Sequence, residues 1–258
     1  MEFNPGFDIE AKESPLNFQY GDQVFGAKPE LRTIDAVRKS LKNPFAKGPK
    51  VLYCISMDVG EKKDLPLMKK RNLLFGAVTY AAGVVGDEPV RSQGHIHAIS
   101  SSCNDSTCEV YEIWDGEAYI YMQESGKDDA GECYGVHAKA GDVVIVPPGW
   151  VHATVNGNIH KNMTFGAWCV RDYGFDYEDV RAHNGIAFFP IVKDDEIVWE
   201  FNKKYSSGNI TIKEAREYPE FEIEKGKPIY TQFQENPDKF LFVSKPAIAK
   251  EIWESMKI

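Results

Sequence analysis

The chain has 258 residues, of which 43% are hydrophobic and 27% are charged. This composition is that of a globular protein with a substantial core, and it excludes disordered, collagenous and disulfide-scaffold chains. Acidic residues outnumber basic residues by 39 to 30, which gives a net charge of −9 at pH 7. Because nucleic acids and anionic membranes attract positive charge, we expect neither of them as a partner.

The sequence contains no recognisable signal for export or membrane insertion. The first residues lack the basic start and apolar run of a secretory signal. The uncharged stretch at residues 73–86 is too short to span a bilayer. The five cysteines are sparse and odd in number, which favours reduced thiols. We therefore expect a cytoplasmic protein. Cys103 and Cys108 could form a disulfide or bind a metal, but free thiols in a loop are favoured because neither belongs to a Cys-x-x-Cys pair.

The N-terminal 50 residues are predicted to be irregular apart from one helix. This helix covers residues 34–41, with Thr33 as its N-cap and Asn43-Pro44 as its end. From residue 51 to about 205, short alternating apolar runs are broken by Gly, Asp and Pro. This pattern is typical of an all-β sandwich or barrel, so residues 51–205 are predicted to be the central domain.

The clearest prediction within this region is a hairpin. Strands at 109–114 and 118–123 flank Asp115-Gly116, a dipeptide suited to a type I′ turn. Other predicted strands are at 142–146 and, joined by residues 193–196, at 186–192 and 197–201. Residues 206–258 are predicted to be an appendage, with a short strand at 239–244 and a terminal helix at 246–257.

The segment Gly94-His95-Ile96-His97 is the most informative part of the sequence for function. Residues i and i+2 of a strand point to the same face, so both imidazoles would project into a small β-barrel. Glu109 begins the next predicted strand, and His152 follows the strand at 142–146. Three imidazoles and one carboxylate suit one divalent transition ion, such as iron, manganese, zinc, nickel or cobalt. Ligands on one side of the ion leave positions open for substrate.

Two sequence blocks together resemble the paired signature of the cupin superfamily. A His-x-His pair alone is more often a pair of solvated or hydrogen-bonded histidines, so the prediction depends on both blocks occurring in order. The first block contains Gly94-His95-Ile96-His97, Glu109 and Gly116, and the second contains Gly141, Pro147-Pro148-Gly149, His152 and Asn156.

The first block differs from the general pattern in one distance. The separation between His97 and Glu109 is longer than usual, as if a loop had been inserted. Glu112 and Asp105 are therefore alternative carboxylates for the ion. Glu109 is preferred because the Glu-Val-Tyr sequence and the spacing to Gly116 both fit.

Within the cupins, the chain most resembles the cupin-type glucose-6-phosphate isomerases of archaea and some bacteria. The resemblance covers about residues 70–205 and includes Glu109-Val110-Tyr111, Gln123 and residues 146–156. It implies an all-β, double-stranded β-helix or jelly-roll barrel with helical or irregular extensions at both ends. It also implies a homodimer that acts on a small sugar phosphate.

The resemblance further implies roles for individual residues. Glu109 would be the base for proton transfer as well as a metal ligand, and Tyr111 would bond a sugar hydroxyl or simply line the barrel. Thr79, Ser92 and Gly94 would hold the phosphate through hydroxyl and backbone N–H groups, with Arg91 near enough to pair with it.

One departure from the family concerns the residue between Gly174 and Asp176. Family members usually have a histidine there, whereas this chain has Phe175, which neither transfers a proton nor bonds a hydroxyl. Either Tyr177 or His183 takes over that task, with Tyr177 assigned to substrate binding, or the substrate differs.

Three functions fit these residues. The favoured one is a metal-dependent isomerase that interconverts glucose 6-phosphate and fructose 6-phosphate. The alternatives are a cupin-type iron dioxygenase with the same ligands and a non-catalytic cupin that binds metal or sugar.

Overall fold

The computed structural model describes residues 1–258. Its strands, in chain order, are β1 (Ile9–Glu13), β2 (Leu16–Tyr20), β3 (Val24–Phe25), β4 (Glu30–Thr33), β5 (Val51–Met57), β6 (Gly60–Glu61), β7 (Leu73–Tyr80), β8 (Val84–Val85), β9 (Glu88–Pro89), β10 (Ile96–His97), β11 (Glu109–Asp115), β12 (Glu117–Gln123), β13 (Asp129–Lys139), β14 (Val143–Val146), β15 (Val151–Asn156), β16 (Met163–Val170), β17 (Phe175–Asp176), β18 (Phe188–Lys193), β19 (Glu196–Phe201) and β20 (Ser207–Glu214). The helices are α1 (Ile34–Val37), α2 (Leu65–Lys70), α3 (Glu178–Ala182), α4 (Ile229–Glu235), α5 (Leu241–Ser244) and α6 (Lys250–Ser255). None of them has the length and apolar character needed to cross a membrane.

Two mostly antiparallel sheets form the walls of the barrel. One has six strands in the order β14-β11-β16-β7-β5-β4, and the other has four in the order β15-β12-β13-β20. The chain changes sheet between β11 and β12 and again between β13 and β14, β14 and β15, and β15 and β16. Such repeated exchange between two sheets is the connectivity of a jelly roll. The predicted all-β jelly-roll fold is therefore confirmed.

The predicted hairpin at Asp115-Gly116 is wrong, although both strands exist. β11 pairs with β14 and β16, whereas β12 pairs with β13 and β15, so the two strands belong to different sheets. Gly116 has φ +68°, and a Cβ there would lie 2.7 Å from the carbonyl oxygen of Asn162. The dipeptide connects the two sheets at a corner. Most residues of β11 and β12 are buried, so the backbone groups on both edges of each strand need hydrogen-bonding partners, and one partner strand would not be enough.

The predicted pair of strands near residue 190 is confirmed as a hairpin of β18 and β19. Its turn contains Asp194 and Asp195 with φ values of 51° and 63°, as a type I′ turn requires. The predicted strand at 142–146 is also confirmed as β14. The turn with two left-handed residues that Asp115-Gly116 suggested thus occurs at Asp194-Asp195, whereas at the first dipeptide only Gly116 has a positive φ.

The terminal segments match the predictions in part. Helix α1 and the 3₁₀ turn Arg38–Ser40 cover the predicted helix at 34–41, and the 3₁₀ turn Pro246–Ala249 leads into α6. The predicted strand at 239–244 is wrong, because this segment contains helix α5. The adjacent residues Phe242 and Val243 of this helix are both buried, whereas in a strand their side chains would point to opposite faces.

Both termini cover the outer face of the six-stranded sheet. Phe7 from the N-terminal segment and Tyr230 from α4 pack together against Phe75 of β7, with ring centroids 4.4–5.9 Å apart. As a result β7 and β16 are buried along their whole length. The inner face of the same sheet faces the barrel interior, where a second hydrophobic cluster lies. The domain boundaries at residues 50 and 205 stay a prediction.

Candidate metal centre

Four side chains from the two sequence blocks meet inside the barrel. His95, His97, Glu109 and His152 each offer one ligand atom, and these atoms lie within 4.8 Å of one another. β10 carries His97, β11 begins with Glu109, and β15 carries His152. His95 joins them through backbone bonds of 2.9 and 3.0 Å with His152. The loops between the strands thus bring residues more than 40 positions apart to one place.

The ring nitrogens that face each other are the Nε2 atoms. The Nδ1 atom of His97 lies 2.9 Å from the carbonyl oxygen of Thr107, and that of His152 lies 3.2 Å from the carbonyl oxygen of Trp150. A carbonyl only accepts, so each Nδ1 carries the proton and each Nε2 presents its lone pair. This arrangement of an outer carbonyl behind a ligating imidazole is typical of metal sites.

The donor set therefore fits a divalent ion. The Nε2 atoms of His95 and His97 are buried and form no hydrogen bond, which is costly unless an ion takes their lone pairs. The Glu109 Oε2 atom lies 3.3 Å from His97 Nε2 and 3.2 Å from His152 Nε2. Three imidazole nitrogens and one carboxylate oxygen suit iron, manganese, zinc, nickel or cobalt.

Burial and the neighbouring side chains together shift the pKa values of Glu109 and His95 downward. Burial raises the pKa of Glu109, but His152 and His97 outweigh burial and hold it well below its usual range. Burial lowers the pKa of His95, and the neighbouring His152 and His97 lower it further. Neutral imidazoles and an ionised carboxylate are the forms that bind a metal ion.

The centre lies at the inner end of a cavity of about 200 Å³. Its wall includes three of the four grouped residues, His95, Glu109 and His152, together with several aromatic side chains. A cavity of this kind, apolar with a few convergent polar groups, suits a small-molecule ligand. The other lining residues are Glu30, Arg32, Tyr53, Ile55, Met57, Val78, Tyr80, Ser92, Gln93, Tyr111, Ala153, Thr154, Phe165, Tyr173, Phe175 and Tyr177.

Comparison with known proteins identifies the family. The family model for glucose-6-phosphate isomerase matches residues 31–207, well over half of the chain. The chain belongs to the glucose-6-phosphate isomerase family. The resemblance noted in the sequence is thereby confirmed, and the enzyme class is that of an isomerase.

Two sequence relatives and one solved structure show what the chain is similar to. The glucose-6-phosphate isomerase of Thermococcus litoralis is 28% identical over 196 residues, which is 74% of this chain and 94% of the relative. That of Sinorhizobium medicae is 31% identical over 137 residues, covering 52% of this chain and 58% of the relative. Among solved structures, an oxalate oxidase is similar with a TM-score of 0.36 and 15% identity, covering 48% of this chain and 54% of that one.

Three of the predicted substrate-site residues line the cavity. Tyr111 follows Glu109 on the same face of β11, and its ring is 3% exposed. Tyr177 lies with its ring centroid 5.7 Å from that of His95. The Ser92 hydroxyl accepts the Thr154 N–H at 3.0 Å, which leaves its own proton free to donate.

Two residues expected at the phosphate, Thr79 and Gly94, lie elsewhere. Thr79 points to the outer face of the sheet, where its hydroxyl bonds Thr164 at 2.9 Å, because its neighbours on β7, Val78 and Tyr80, take the inner face. Gly94 adopts φ +89° with its Cα facing Ile186 outside the cavity. These placements remove both residues from the cavity wall.

Arg91 is committed to a buried pair away from the cavity. Its guanidinium bonds the Glu88 carboxylate at 2.5–2.7 Å and the carbonyl of Ser40 at 2.6 Å, and its side chain is 1% exposed. Breaking such a pair would leave Glu88 uncompensated. The predicted pairing of Arg91 with phosphate is therefore wrong.

The alternative residues are also distant from the centre. Glu112 points to the outer face of β11, where it accepts the N–H of Ile229 at 2.8 Å, and Asp105 is exposed in the loop before β11. His183 bonds Asp128 at 3.0 Å and stacks on Tyr205. It does not line the cavity.

Phe175 does line the cavity and covers the metal centre. Its ring centroid lies 4.4 Å from that of His95, at an interplanar angle of 60°. β17 places it there by pairing with β10, in which His97 is opposite Phe175. The phenyl ring therefore shields the histidine ligands from water with apolar surface.

Sequence reasoning missed several residues that matter here. Glu30 and Arg32 lie on edge strand β4, in a segment predicted to be irregular, although their i, i+2 spacing places both on one face. Ser106 lies in the inserted loop, and its hydroxyl contacts the backbone on both sides of the centre. All five cysteines, including Cys103 and Cys108, are free as expected.

Proposed function

We propose that the chain is a metal-dependent aldose–ketose isomerase that interconverts glucose 6-phosphate and fructose 6-phosphate. The observation that carries this proposal is the group of His95, His97, Glu109 and His152 at the inner end of a cavity of small-metabolite size. Membership of the glucose-6-phosphate isomerase family supports the choice of substrate.

The reaction moves a hydrogen between C1 and C2 of an open-chain sugar. It needs a base near the carbon and positive charge near the two oxygens. A bound divalent ion would supply that charge by polarising the carbonyl and the hydroxyl together. His95, His97, Glu109 and His152 would hold the ion, and the Glu109 carboxylate would also take and return the proton.

Tyr111 would position the sugar beside this base. Burial raises the pKa of the Tyr111 phenol, and the neighbouring Glu109 carboxylate raises it further. The phenol therefore keeps its proton and donates a hydrogen bond to a sugar hydroxyl or to Glu109. Phe175, packed on His95, would exclude water from the same place.

A coupled assay for fructose 6-phosphate conversion tests the proposal. We expect turnover with the metal-loaded protein, loss of turnover after chelation and recovery when individual divalent ions are added back. Absence of conversion in a protein that holds a metal ion would refute it.

The same assay separates the alternative functions. Turnover without oxygen supports an isomerase, whereas a requirement for oxygen would indicate a cupin-type iron dioxygenase. Saturable binding of fructose 6-phosphate with no product would indicate a non-catalytic binding cupin.

We also propose that the protein is a homodimer in the cytoplasm, as the family resemblance and the cysteine content suggested. A light-scattering mass near 29 kDa, the mass of one chain, would contradict the dimer.

A further inference from the structure

The cavity wall contains one side chain that is a permanent cation. Apart from the imidazoles, Arg32 is the only basic residue among the side chains that line it. Its guanidinium pairs with Glu30 at 2.9 Å, and 38% of the Arg32 side chain is exposed. Arg32 is therefore at the mouth of the cavity, with Glu109 and the histidines at the inner end.

Two other arginines near the cavity are already engaged. Arg91 is buried against Glu88. Arg181 stacks over the Tyr177 ring at 4.6 Å and donates to Gln93 at 3.0 Å. Neither lines the cavity, so Arg32 is the only arginine or lysine side chain that a dianionic group entering it would meet.

A polar wall connects the metal centre to Arg32. Strand register aligns Arg32 of β4 with Tyr53 of β5 and Tyr53 with Tyr80 of β7. The rings of Tyr53 and Tyr80 are stacked with centroids 4.7 Å apart. Ser92 and Thr154 line the same cavity, where the Ser92 hydroxyl accepts the Thr154 N–H at 3.0 Å. Hydroxyl groups thus line the path between the two ends.

Tyr177 also lines this cavity. Its ring contacts that of His95 at a centroid distance of 5.7 Å. Tyr177 and Arg32 both line the cavity, and Tyr177 also packs on His95. A six-carbon sugar with its C1 and C2 oxygens at the metal centre would therefore extend its C6 end towards Arg32.

We propose that Arg32 binds the substrate phosphate and that Glu30 competes with that phosphate for the guanidinium. The inference rests on the proposed function, which places the reacting carbons at the metal centre. A planar guanidinium binds phosphate through two parallel N–H···O bonds, which makes Arg32 a specificity residue for phosphorylated sugars. An exposed Glu–Arg pair is weak, so a phosphate dianion displaces Glu30.

The test compares a phosphorylated ligand with its unphosphorylated form. Sorbitol 6-phosphate has no carbonyl to isomerise, so calorimetry of the metal-loaded protein measures its binding without turnover. We expect Arg32→Gln to weaken this binding by about 10- to 100-fold, the usual effect of losing a charge-assisted bond. Arg32→Lys keeps the positive charge but loses the paired N–H donors of the guanidinium. Its affinity for sorbitol 6-phosphate should lie between those of the wild type and Arg32→Gln.

Glu30→Gln removes the carboxylate that competes with phosphate for Arg32, so its effect on affinity should be opposite to that of Arg32→Gln. It should tighten binding of sorbitol 6-phosphate by about 2- to 5-fold, in proportion to the weak pair it removes. None of the three variants should change the affinity for sorbitol. In the kinetic assay, Arg32→Gln should raise KM for fructose 6-phosphate far more than it lowers kcat.

Lys12→Gln is the matched control. Lys12 lies outside this cavity in an exposed pair with Glu10 at 2.7 Å, and its loss changes the net charge by the same amount. It should bind sorbitol 6-phosphate as the wild type does. Thermal midpoints of all the variants confirm that they fold, since β4 is an exposed edge strand.

Wild-type affinity for sorbitol 6-phosphate in Arg32→Gln would overturn the inference, and so would equal losses for sorbitol and its phosphate. Failure of the proposed function is distinguishable from this. If the wild type does not convert fructose 6-phosphate but Arg32→Gln still weakens binding of sorbitol 6-phosphate, the phosphate site is supported and the isomerase activity is refuted. Failure of the wild type to bind sorbitol 6-phosphate would also overturn the inference.

Discussion

Replacing Ser106 by alanine should weaken the metal centre without touching a ligand. The Ser106 hydroxyl donates to the carbonyl of His97 at 2.9 Å and accepts the N–H of Gly149 at 3.1 Å. Gly149 lies three residues before His152. One buried hydroxyl therefore connects the two segments that carry the ligands, and alanine removes both hydrogen bonds.

The expected magnitude follows from what each group meets after the change. The buried His97 carbonyl loses a partner, whereas the half-buried Gly149 N–H regains water. One unsatisfied buried group costs about 1–3 kcal/mol of the free energy of unfolding. Because the hydroxyl orients a ligand from outside the centre, we also expect metal affinity to fall by about 10- to 100-fold.

Two measurements check this prediction. Chemical denaturation of the metal-free protein gives the loss in stability, and competition with a chromophoric chelator gives the affinity for Zn²⁺. Ser101→Ala is the control, because Ser101 is exposed in the same loop and bonds only Asp172, at 3.0 Å. Wild-type Zn²⁺ affinity in Ser106→Ala would show that the hydroxyl does not organise the centre, even if the protein were less stable.

Three further predictions concern the proposed metal ligands, the tyrosine beside the proposed base, and a carboxyl group on the outer face of the sheet. His95→Ala and His152→Ala should each lose most bound metal and activity while circular dichroism shows an intact β fold; full metal content in either would exclude that residue as a ligand. Tyr111→Phe should lower kcat about tenfold with unchanged metal content, since it removes one positioning hydrogen bond; an unchanged rate would leave Tyr111 as a lining residue only. Burial raises the pKa of Glu112 to about 8, above its unfolded value, so its contribution to stability is complete below about pH 4 and is lost as the pH rises through 8. The free energy of unfolding should fall by roughly 4 kcal/mol between pH 5 and 8 relative to Glu112→Gln, and parallel pH profiles would contradict this.

Much of the metal centre was predictable because its signals are local. The i, i+2 spacing of His95 and His97 places both rings on one face whatever the strand pairs with. Alternation along β11 likewise separates Glu109 and Tyr111 from Glu112. The strand pair β18 and β19 was predictable because a short polar turn at residues 193–196 joins two apolar segments that pair directly with each other.

The partners of a strand were not predictable, because burial across the whole sheet selects them. The dipeptide Asp115-Gly116 indicates a turn in either case, and only the packing of two sheets makes it a corner. The inner or outer position of Thr79 depends on which face of β7 the terminal segments cover. Arg32 reaches the cavity only because β4 pairs with β5 at the edge of the barrel. Residue types and spacing thus determined which side chains form the His/Glu group, whereas tertiary packing placed the Arg32 guanidinium in the same cavity.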